Sequence, residues 1–96
     1  MVVHLVSFKY RKDVEDAARE DHRRKLGALA DIDGIVDFKV GADFVRSPRS
    51  YDTGIVVVFR DRAALDSYAT NPRHVPVAQL GRDLSESIVA VDFDAP

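Results

Sequence analysis

Three side chains of this sequence could move a proton between them: His4 near the N-terminus, and Tyr68 and His74 in the second half. A neutral imidazole titrates near physiological pH and can act as a general base. A tyrosine has an apolar ring that can line a pocket and a hydroxyl that can hold a carbonyl oxygen. The stretch from Leu65 to His74 reads as the end of a helix, with Pro72 just past it, so Tyr68 is expected on the helix and His74 on the loop that follows. The third histidine, His22, borders the apolar stripe of an earlier helix, four residues from both Ala18 and Leu26. It is expected at the boundary of the core, facing a pocket mouth.

Other chemistries find no support. The three histidines are dispersed, with no H-x-x-x-H pair and no cysteine, so no metal site is expected. There is no G-x-S-x-G elbow and no glycine-rich phosphate loop, and no cofactor is expected. Asp92 and Asp94 are read as the end of a strand and not as cation ligands.

These residues need a scaffold, and the patterning supplies one. Val2 to Tyr10 alternates, with Val2, His4, Val6, Phe8 and Tyr10 on one face and Val3, Leu5, Ser7 and Lys9 on the other. Asp13 can cap a helix running to about Asp31, with Val14, Ala17, Ala18, Leu26, Leu29 and Ile32 as its buried stripe and Asp33-Gly34 as its stop. Ile35 to Phe44 reads as a second strand, with Gly41 marking a bulge or a close approach. After the Ser47-Pro48-Arg49-Ser50 turn, Thr53 to Arg60 is the third strand. Asp61 caps a second helix with apolar positions Ala64, Leu65, Tyr68 and Ala69; a short helix fits within Val75 to Leu84, and Ser87 to Phe93 is the last strand.

The order is β-α-β-β-α-β, which predicts an α+β, ferredoxin-like fold with a four-stranded antiparallel sheet and helices on one face. His4, Val6 and Phe8 then face the helices. A pocket between sheet and helices is expected to be lined by His22, Val6, Phe8 and Leu26. The five apolar residues Ile55 to Phe59 break the alternation that a sheet with one wet face should show. Val3 and Leu5 add to that second face. A second copy of the chain is the simplest cover, giving a homodimer whose two sheets close a dimeric α/β barrel.

Composition bounds the rest. Ninety-six residues make one domain spanning positions 1–96. The net charge of −2, with acidic residues interleaved among Arg19, Arg23, Arg24 and Lys25, gives no phosphate footprint, so no nucleic-acid partner is expected. No apolar run is long enough to cross a bilayer, and no membrane association is expected. The start of the chain lacks the features of a signal peptide and cysteine is absent, so a cytoplasmic location is expected.

The chain resembles the stress-responsive dimeric α/β-barrel (Dabb) domain family along nearly its whole length. The matching residues are His4-Leu5-Val6 with Phe8-Lys9, Gly41, Tyr51-Asp52, Phe59, Leu65, Tyr68, Pro72-Arg73-His74 and Val91-Asp92-Phe93, in that order. The family includes plant stress proteins and olivetolic acid cyclase, a polyketide cyclase that works without a cofactor. The resemblance implies catalytic roles for residues matching His4, Tyr68 and His74. The cyclase's further tyrosine falls near Lys25 or Leu26 here, and the histidine before its proline is Asn71 here. The resemblance therefore carries over a proton-transfer pocket more than a particular substrate.

Three functions fit the sequence. One is a cofactor-free cyclase or lyase acting on a small carbonyl substrate, with His74 as general base and Tyr68 and His4 holding the carbonyl oxygen. The second is a module that binds a small molecule without turning it over. The third is a structural stress-response protein whose dimer is its function.

Overall fold

A computed structural model describes residues 1–96. The chain runs β1 (Val2–Tyr10), α1 (Asp16–Gly27), β2 (Ile35–Ala42), β3 (Thr53–Phe59), α2 (Arg62–Ala69), α3 (His74–Leu84) and β4 (Ser85–Asp94). The strands form one antiparallel sheet in the order β2-β3-β1-β4, the arrangement expected from the β-α-β-β-α-β pattern.

The alternation of β1 holds. Val2, Val6, Phe8 and Tyr10 are buried on the helix side, and the register sets the first three against Phe59, Ile55 and Thr53 of β3. These residues join Val14, Leu26, Leu29, Ile32, Val57, Ala64 and Tyr68 in one core. Val3, Leu5, Val56, Val58, Val89, Val91 and Phe93 share the opposite, helix-free face by the same register. Val89 and Val91 are exposed there, as is Phe93.

Several boundaries differ from the sequence expectation. Helix α1 starts at Asp16, with Glu15 at its cap position and no side-chain cap bond. Asp13 is instead held by Arg11, and Val14 is buried by a turn that closes Val14 N–H onto Arg11 O. The helix ends at Gly27. Tight turns (Leu29 N–H to Leu26 O, Ile32 N–H to Leu29 O) carry Leu29 and Ile32 into the core beyond it, so the apolar spacing outlasts the α-helix. Strand β2 stops at Ala42: one further bond, Asp43 N–H to Asp52 O, closes its end, and the chain then turns through Arg46 at φ 54°. Phe44 is left exposed. Gly41 is neither a bulge nor a close approach: a Cβ there meets nothing within 4 Å, and the register shift lies between Ile35 and Asp37.

Of the expected helix ends, the start of α2 holds, whereas Asp33-Gly34 lies well past the end of α1 and instead turns the chain into β2. Asp61 accepts from Ala64 N–H at 2.8 Å and caps α2. Gly34 has φ 93°, a conformation that favours glycine, and a Cβ there would lie 2.6 Å from Ala64 Cβ.

Candidate functional site

His4 lies on the helix-facing side of β1 with its side chain 16% exposed. Antiparallel pairing places Asp92 of β4 directly opposite, and His4 Nδ1–H donates to Asp92 Oδ1. That bond fixes the proton on Nδ1 and leaves Nε2 as the free ring nitrogen. Asp92 is a site residue that the sequence reading missed. Its signal is weak: it alternates with Val91 and Phe93, so it shares His4's side of the sheet, but its partner is visible only once the β1–β4 register is known.

Tyr68 and His74 come from the two sides of the α2–α3 turn. The Tyr68 ring packs edge-on to Phe59, with centroids 5.1 Å apart, and lies 6.2 Å from the His4 ring and 4.1 Å from the His74 ring. His4, Tyr68 and His74 therefore meet over one end of the sheet, on the helix side. Tyr68 is 2% exposed, yet its hydroxyl has no hydrogen-bond partner in the protein. Burial pushes its pKa up to about 12, so the hydroxyl remains a donor at neutral pH.

His74 is not on a loop. It is the first residue of α3, placed there because its N–H bonds Asn71 O at 2.9 Å as the turn closes. Its Nδ1–H donates to Ala69 O at 3.2 Å. Burial lowers its pKa, and the nearby His4 and Arg82 add to the lowering against the opposing pull of the Ala69 carbonyl. A neutral imidazole with Nδ1 held by an acceptor and Nε2 free is the form a general base needs.

His22 is not at the core boundary. It is fully buried, with Nδ1 2.7 Å from Tyr10 Oη, which also donates to Thr53 Oγ1 at 2.9 Å. The Phe8 ring stands edge-on to it at 4.8 Å. Desolvation lowers its pKa to about 4, so it is neutral at ordinary pH, and Nε2 has no partner. The reason is packing: α3 passes so close at Gly81 that a Cβ there would lie 2.9 Å from Phe8 and 3.3 Å from His22 Nε2. Val6, Phe8 and Leu26, expected with His22 around the pocket, are buried in the core, and none of the four lines any of the main hollows of the molecule.

Two hollows bear on function. One of about 350 Å³ lies between α2 and the β1–β4 edge, lined by Leu65, Asp66 and Asp92 among others, and so borders the residue that holds His4. The larger, about 520 Å³, is lined by Ser7, Gly41, Gly54, Tyr51 and Val56 among others and opens on the helix-free face of the sheet. Gly41 and Gly54 are cross-strand partners, and Ser7 is the partner of Gly54, so three small residues lie in one row.

Solved structures share this fold. A dimeric ferredoxin-like protein of unknown function from Thermobifida fusca matches with a TM-score of 0.90 at 22% identity, covering 98% of this chain and 90% of that one. Another from Bacteroides fragilis, also described as dimeric, matches with a TM-score of 0.83 at 26% identity, covering 98% and 95%. A hydroxynitrile lyase from Passiflora edulis matches with a TM-score of 0.85 at 18% identity, covering 96% and 90%. No curated protein is detectably similar in sequence. The model of the stress responsive A/B barrel domain matches residues 2–95, and the chain belongs to that family.

Proposed function

We propose that this protein is a homodimeric, cofactor-free proton-transfer enzyme acting on a small carbonyl compound, of the cyclase or lyase kind. The observation that carries the reading is the meeting of Tyr68, whose ring is buried and whose hydroxyl has no partner in the protein, with His74, whose neutral ring lies 4.1 Å away. A hydroxyl that no protein group engages is free to donate to a bound oxygen. His74 Nε2 takes a proton from the carbon next to a carbonyl. The Tyr68 hydroxyl donates to the oxygen as negative charge develops there. His4, oriented by its Nδ1 bond to Asp92, stands on the other side of Tyr68 and helps to hold the same oxygen. The hydroxynitrile lyase among the structural neighbours supports the reaction class, since that protein shares the fold.

The dimer reading rests on the helix-free face. Val56, Val89, Val91 and Phe93 are exposed there, no segment of the chain covers them, and two neighbours are described as dimeric. Sedimentation at micromolar concentration should give twice 10.7 kDa, and Val91→Asp should yield a folded monomer. A wild-type monomer would end that part of the reading.

A second reading, a dimer without catalysis, is favoured by one observation: none of the main hollows is lined by Tyr68 or His74. Incubation with cyanohydrins and linear polyketones separates the two. Catalysis should fall by about 10²–10⁴-fold in His74→Ala with the fold retained. No turnover, together with a collapse of the melting temperature in His74→Ala, would leave His74 as a structural anchor.

A further inference from the structure

The turn that presents His74 is built from three residues, and one of them reaches outside it. Asn71 Oδ1 accepts from Arg73 N–H at 2.8 Å, while Asn71 O accepts from His74 N–H at 2.9 Å and Val75 N–H at 3.0 Å. These bonds close the turn on itself. They do not fix it against the rest of the molecule. Arg73 does so: its Nη2 donates to Ala28 O and to Asp31 Oδ1, both at 2.7 Å, at the C-terminal end of α1. Among the hydrogen bonds of this turn, only these two leave the α2–α3 segment. Ala28 O is one of the carbonyls left open where α1 ends, a position that favours a cation.

The His74 ring needs this support. An imidazole free in water prefers its proton on Nε2, whereas the bond to Ala69 O requires it on Nδ1. A single bond of 3.2 Å selects that tautomer only if the backbone at His74 is held. The side chain of Asn71 closes the turn that presents the histidine.

We infer that Arg73, working with Asn71, is a positioning residue that ties the α2–α3 turn to the end of α1 and thereby keeps the His74 proton on Nδ1 and Nε2 free. The inference rests on the reading of His74 as the base, but the state of the ring can be measured without any substrate. The charged and titratable groups that bear on His74 are His4 and Arg82, with Tyr68 against its face, and none of them is altered by changing Arg73.

The test is the ¹³C and ¹⁵N chemical shifts of the His74 ring, followed through neutral pH in the wild type, Arg73→Ala, Arg73→Lys and Asn71→Ala. The wild type should show one neutral tautomer, protonated on Nδ1, with a midpoint below 6.5. Arg73→Ala and Asn71→Ala should show both tautomers and a displaced midpoint, with the melting temperature little changed. Arg73→Lys, which keeps the charge but lacks the fork, should fall between. A tautomer and midpoint unchanged in Arg73→Ala overturns the inference, as does a change accompanied by equal shifts in His4 and His22, which would report general unfolding. If the Arg73→Ala shift appears while the wild type turns over no carbonyl substrate, the positioning role stands and the enzymatic reading falls.

Discussion

His22 and His74 are the same residue type in opposite situations, and the contrast separates structural from reactive histidines in this fold. His22 is sealed between Phe8, Tyr10 and Gly81, its Nδ1 committed to Tyr10 and its Nε2 facing packed atoms that leave no room for a ligand. His74 is only half-buried, and its ring packs on that of Tyr68, whose hydroxyl has no partner in the protein. Both rings are held neutral by desolvation. A lowered pKa therefore does not identify a base by itself; access to a free nitrogen does.

If the contrast is right, His22→Ala removes a fully buried ring and should cost about 3 kcal/mol, read as a loss of several degrees in thermal denaturation. Gly81→Ala should act on the same spot from the other side. Its methyl would meet Phe8 at 2.9 Å, and overpacking of that kind costs about 1–3 kcal/mol.

Acid sharpens the comparison. His22 has a folded pKa of about 4 against an ordinary 6.5, so the unfolded chain takes up its proton first as pH falls. Its contribution to stability is full above 6.5, declines as pH falls from 6.5 to 4, and changes no further below that; the total is on the order of 3 kcal/mol. Denaturant titrations at several pH values should show this slope, and His22→Gln should flatten it. If His22→Gln leaves the slope unchanged, the ring is not sealed as described.

The smallest stability effects belong to the other region. Tyr68→Phe removes a hydroxyl that has no partner in the protein, so stability should change by less than about 1 kcal/mol. A loss above 2 kcal/mol in chemical denaturation would mean the hydroxyl is structurally engaged, leaving nothing for a substrate oxygen to satisfy.

Much of the scaffold was legible in the residues themselves. The alternation from Val2 to Tyr10 placed His4 on the helix side, and Asp61 marked the start of α2, because both signals are local. The Asp92 partner of His4 was not legible, since it depends on the pairing of the first and last strands, 88 positions apart. The burial of His22 was hidden as well. Its helical spacing suggested a boundary, and only the close passage of α3 at Gly81 closes that boundary. His74 appeared to follow a helix when it begins one, because Pro72 signals the stop of α2 while Asn71 starts α3 within three residues.

The central claim is that His74 and Tyr68 act together on a proton next to a carbonyl, and its most direct test needs no knowledge of the natural substrate. Acetophenone and small alkyl ketones in D₂O exchange their α-protons slowly, and ¹H NMR follows the loss of signal. The wild-type protein should accelerate exchange above buffer, His74→Ala should abolish the acceleration, and Tyr68→Phe should weaken it with the fold intact. Exchange at the buffer rate across the ketone panel, or acceleration that survives His74→Ala, would contradict the account.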